Sequence, residues 1–85
     1  MNIGADYQYH GRFPEAIAEY ASVIPLTSDP KLLTGAYENL GSIYYRVGDS
    51  PRALESYKRV LQINPEETRA IIAIGALRSE QIEHR

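Results

Sequence analysis

Two histidines and eleven carboxylates are the side chains of this 85-residue sequence best suited to acid–base or metal chemistry. Their spacing supplies neither. His10 stands beside Gly11 at a chain break, with no Ser or carboxylate set by a motif to work with it. There is no Cys, so disulfides and thiolate metal ligands are excluded, and two His cannot hold a metal unless carboxylates cooperate. Glu66-Glu67 and Glu80 with Glu83 read as helix-start and surface charges, and no phosphate loop, H-E-x-x-H or Ca²⁺ loop is present. No catalytic residue, metal site or cofactor is expected. What remains is recognition chemistry. Tyr45 follows Tyr44, and consecutive side chains on a helix diverge by roughly 100°. If Tyr44 packs inward, Tyr45 points elsewhere and offers a flat apolar ring with a hydrogen-bonding tip, the form of a binding anchor. It could equally cover the loop beside it.

The elements that would position such a residue are helical. Asp29 can cap a helix whose first residue is Pro30, where a missing N–H does no harm. That helix should run to about Arg46, with Leu33, Tyr37, Leu40, Gly41 and Tyr44 on one stripe. Gly48-Asp49 then breaks the chain, and Ser50-Pro51 is expected to restart it as cap and first helical residue. Ala53, Leu54, Tyr57, Val60 and Leu61 form the next stripe, and Asn64 to Glu67 reads as a capping box opening a further helix. Links this short imply hairpins of antiparallel helices.

These elements repeat. Residues 2–23 and 39–60 share eight identities at a constant offset of 37, among them Gly4/Gly41, Ala16/Ala53 and Tyr20/Tyr57. Ile74-Gly75 stands for Leu40-Gly41 at an offset of 34. Periods of this size belong to solenoids of stacked helical units. Small Gly41 and Ala53 suit the points where helices about 8–10 Å apart approach most closely, with large Tyr side chains filling the space beside them. The units fall at about 1–29, 30–64 and 65–85, making one all-α domain of five helices. Met1 falls inside a helix pattern, so the chain is expected to be a piece of a longer protein. A formal charge of −2 provides no basic field for nucleic acid. The longest apolar run, residues 70–77, is far short of the roughly 20 residues a membrane span needs. No residue pattern names a compartment.

Tyr37, Leu40-Gly41, Tyr44, Gly48-Asp49, Ala53, Tyr57 and Pro65 resemble the tetratricopeptide repeat (TPR), with Tyr where Trp is commonest. The resemblance covers about two and a half units. The first copy lacks the front of its first helix and carries three extra residues within 25–30, and the third has Arg78 in place of Tyr. It implies a right-handed α–α superhelix whose first helices line a concave groove for a peptide or protein segment, without catalysis.

On that resemblance, Asn2, Ala5, Gln8 and Tyr9 line the groove from the first unit. Glu38, Asn39, Ser42, Tyr45 and Arg46 follow from the second, and Arg69, Ile72, Ala73 and Ala76 from the third. Asn39 recurs as Asn2, and an Asn there can both donate to and accept from a ligand backbone, or be merely solvated. Arg46 and Arg69 could attract an acidic segment, although Arg on a helix surface is usually just solvated. The clamp that similar domains use for acidic chaperone tails would fall on Met1, Ala5, Asn39, Arg69 and Ala73; two of these five could serve, so it is absent. The alternative is a structural or self-association element, because uncovered end faces would leave Ile71, Ile74 and Leu77 half exposed unless the last residues extend the helix. The segment from residue 29 to 49 is also loosely similar to TPR tails of bacterial membrane glycosyltransferases.

Overall fold

The computed structural model describes the backbone of residues 11–83 and the side chains of residues 11–80. Every regular element among them is helical: α1 (Phe13–Val23), a 3₁₀ turn (Ile24–Leu26), α2 (Pro30–Arg46), α3 (Ser50–Ile63) and α4 (Thr68–Glu83). Four α-helices thus stand among the described residues where five were expected over the whole chain, and the helix expected ahead of Gly11 lies outside them. Each helix packs on the next, α2 against α3 most extensively.

The boundaries follow from local chemistry. Asp29 caps α2, its Oδ1 accepting the Lys31 N–H at 2.9 Å, and Pro30 fills the first position. The extra residues of the preceding link form the 3₁₀ turn and then an extended Thr27, whose hydroxyl accepts the Asp29 N–H at 3.0 Å. At the far end of α2, Gly48 takes φ +83°, the left-handed conformation that favours glycine. Gly48 N–H then reaches Tyr45 O at 3.2 Å and Asp49 N–H reaches Tyr44 O at 2.8 Å, the paired bonds of a Schellman stop.

Two expected caps are corrected. Asp49, not Ser50, caps α3: its Oδ1 accepts the Arg52 N–H at 3.3 Å, and Ser50 is already helical. The stop on α2 has placed the Asp49 carboxylate at the next helix start, so one residue closes one helix and opens another. Asn64 does not open α4, because its N–H still bonds Val60 O and closes α3. Its side chain accepts the Glu66 N–H at 3.2 Å instead, and α4 starts at Thr68.

Among the described residues, which do not include Gly4, small residues sit where the helices meet, with one exception. Ala16, Gly41 and Ala53 are buried. A Cβ on Gly41 would lie 2.7 Å from Tyr57 Cε2, so the ring occupies the space that a side chain would take. Gly75, expected in the same role, is exposed and has nothing within 4 Å. Ala36 and Ile43 supply core on α2 that the expected stripe missed, while Leu33, Tyr37 and Tyr44 are only partly buried. Ile43, Val60 and Leu77 are the largest fully buried side chains, each worth roughly 1.5–3 kcal/mol of apolar transfer.

Candidate protein-interaction surface

Glu38 and Tyr45 stand seven residues apart on α2, close to two full turns, and so share one face. Arg69 and Glu80 stand eleven apart on α4, close to three turns, and share another. The two faces meet. Arg69 Nη1 approaches Glu38 Oε2 at 4.0 Å, and the Tyr45 hydroxyl donates to Glu80 Oε1 at 2.9 Å. Early residues pair with early and late with late, so α2 and α4 run in the same direction as two staves of one wall.

Tyr45 stays 47% exposed while its hydroxyl is held. The Glu80 carboxylate that accepts this hydrogen bond also raises the phenol's pKa, chiefly through the bond itself and then through its charge. Glu80, read from sequence as a surface charge, is therefore the missed member of this face. Its eleven-residue register with Arg69 was the available signal.

Glu38 is a half-buried carboxylate of the wall. Burial first, and the charge of Glu67 second, push its pKa above the usual carboxylate value, while Arg69 pulls it down. Arg69 is 85% exposed, so its long ion pair is a weak one. Glu38 also raises the Tyr57 phenol, after the larger effect of that ring's burial. At the early end of the wall a cleft of about 470 Å³ lies between the start of α2, the end of α3 and the turn before α4, with Lys31, Gly35, Glu38 and Glu67 among its walls.

The other expected groove residues are placed as follows. Asn39, Ser42 and Ala73 are half-buried, and Arg46, Ile72 and Ala76 are exposed. Among these, Ile72 is an exposed large apolar side chain on α4. Asn2, Ala5, Gln8 and Tyr9 lie outside the described residues, as does Met1. The structure brings Glu38 and Arg69 together and adds Glu80 to Tyr45.

At the opposite surface of α4, Ile74 and Leu77 are buried at 8% and 1%, and Ile71 remains 50% exposed. The helix continues to Glu83, the condition under which that face was expected to be covered. Among the described residues no group of His or carboxylates could hold a metal ion, and no helix is long and apolar enough to cross a membrane.

Residues 35–67 match the tetratricopeptide repeat family. The photosystem I assembly protein Ycf3 of Acaryochloris marina (strain MBIC 11017) is 29% identical over 83 residues, covering 94% of this chain and 50% of that protein. Its counterpart in Cyanophora paradoxa is 31% identical over 68 residues, 80% of this chain and 39% of that protein. The BBSome complex member BBS4 of Mus musculus is 33% identical over 76 residues, 89% of this chain and 14% of that protein. The chain spans half or less of the length of these curated relatives. The α2–α3 hairpin is thus a tetratricopeptide repeat.

Proposed function

We propose that the wall formed by α2 and α4 receives a segment of another protein, and that the chain serves as a non-catalytic scaffold for assembly. The observation that carries this reading is the Tyr45–Glu80 bond of 2.9 Å at a residue left 47% exposed. An aromatic whose tip is already fixed loses little rotamer freedom on contact, so more of its apolar gain survives as affinity. Ile72 and the aliphatic part of Arg46 extend the apolar area, Asn39 and Ser42 offer donors and acceptors for a backbone, and Glu38 with Glu67 favours a basic group at the early end. On the repeat offset of 37, Asn2 corresponds to Asn39 and Tyr9 to Arg46. The relatives named for photosystem I assembly and for BBSome membership support a role in building protein complexes.

The test is paired affinity capture with the wild-type chain and Tyr45→Ala, with both melting curves recorded. Proteins retained by the wild type should be lost by the variant, with the melting temperature within about 2 °C, since the exposed hydroxyl bond contributes little to stability. Undiminished capture by Tyr45→Ala would refute the reading.

A further inference from the structure

Helix α2 begins a turn earlier than the repeat requires. On the offset of 34, Thr68 at the start of α4 corresponds to Thr34, so residues 30–33 are an added first turn of α2. That turn supplies Pro30 and Lys31 to the walls of the cleft of about 470 Å³, together with Gly35, Glu38, Ile63 and Glu67. The cleft thus belongs to this chain's longer helix rather than to the repeat pattern. Its charges are sorted by depth. Glu38 and Glu67 are half-buried walls, Lys31 is exposed, and the Arg69 side chain beside Glu38 is 85% exposed. Cations standing in water are screened, so the carboxylates set the sign of the interior. Gly35 is an independent observation. It is a mid-helix glycine on the cleft wall, and a Cβ there would meet nothing within 4 Å. Such a glycine weakens a helix, and no neighbour among the described residues requires it, as Tyr57 requires Gly41. What its missing side chain leaves is room in the cleft.

We infer that this cleft is a specificity pocket for a lysine or arginine side chain of the partner segment, which rests on the α2/α4 wall receiving such a segment. The register follows from the wall. Glu38 and Tyr45 lie seven residues apart on α2, a rise of about 10 Å. An extended chain covers that distance in about three residues. The favoured segment therefore carries a basic residue three positions from a large apolar one. Its cationic head meets Glu38 and Glu67, its aliphatic stem lies along Gly35, and the apolar residue packs on Tyr45. An acidic residue in the basic position is repelled by the same two carboxylates.

A displayed library of random short peptides, panned against the full chain and against Tyr45→Ala, tests the pocket. Peptides that only the wild type retains should be enriched in Lys or Arg three positions from an aromatic or large aliphatic residue. Synthetic copies of them should bind about tenfold more weakly to Glu38→Gln with Glu67→Gln, and equally so when their basic residue is replaced by norleucine. Gly35→Leu should weaken them as much by filling the cleft, and Gly35→Ala should raise the melting temperature, since its methyl meets nothing in the free chain. Tyr45-dependent peptides with no basic residue at that spacing would overturn the pocket while leaving the wall as a binding surface. Basic peptides bound undiminished by the double glutamine variant would overturn it too. A library that yields no Tyr45-dependent peptide would overturn the pocket and the wall together.

Discussion

A carboxylate that loses water without gaining a close cation carries a cost, and Glu38 is placed in that way, its ion pair with Arg69 lying at 4.0 Å. Its folded pKa lies above its unfolded value, so the native state holds the proton more tightly. Stability associated with Glu38 is therefore full below the unfolded pKa, near 4.3, and is lost as pH rises through the folded pKa. Glu38→Gln should melt higher than the wild type at pH 7, by well under about 1 kcal/mol, and the two curves should coincide below about pH 4. Glu15 works in the opposite direction: a backbone hydrogen bond first, and Arg12 second, hold its pKa down. It is common to both proteins and cancels in the comparison. At this scale the sequence was partly legible. Tyr45 could be turned outward because Tyr44 precedes it, whereas the partner Glu80 depends on how two helices stack, which no single helix encodes.

Between elements, close packing decides what can be read. Gly41 has no local reason to sit inside a helix, where glycine costs about 0.5–1 kcal/mol relative to Ala, so its presence signals a close neighbour. That neighbour is the Tyr57 ring. Gly41→Ala should destabilise the chain by about 1–2 kcal/mol in urea denaturation, because the overlap outweighs the gain in helix propensity. The same reasoning misjudged Gly75, where the repeat preserves a glycine but nothing packs on it among the described residues. Helix ends were legible where one residue has one task, as at Asp29. They were misplaced by a residue or more where tasks overlap: Asp49 ends α2 and caps α3, and Asn64 belongs to α3 rather than α4.

For the whole molecule, the repeat was the strongest signal because packing imposes it: small residues must recur wherever one helix crosses the next. Side chains facing outward from the wall answer to no such constraint. That is why the hairpins could be anticipated from the residues and the identity of a partner could not. The account depends on α2 and α4 lying side by side in one direction, with Tyr45 over Glu80. A nuclear Overhauser spectrum of the labelled chain tests this arrangement directly. It should show cross-peaks between the Tyr45 ring protons and the Glu80 methylene protons, 35 residues apart, alongside those between Gly41 and Tyr57. Strong Gly41–Tyr57 peaks with no Tyr45–Glu80 peak would mean that the hairpin forms but the wall does not.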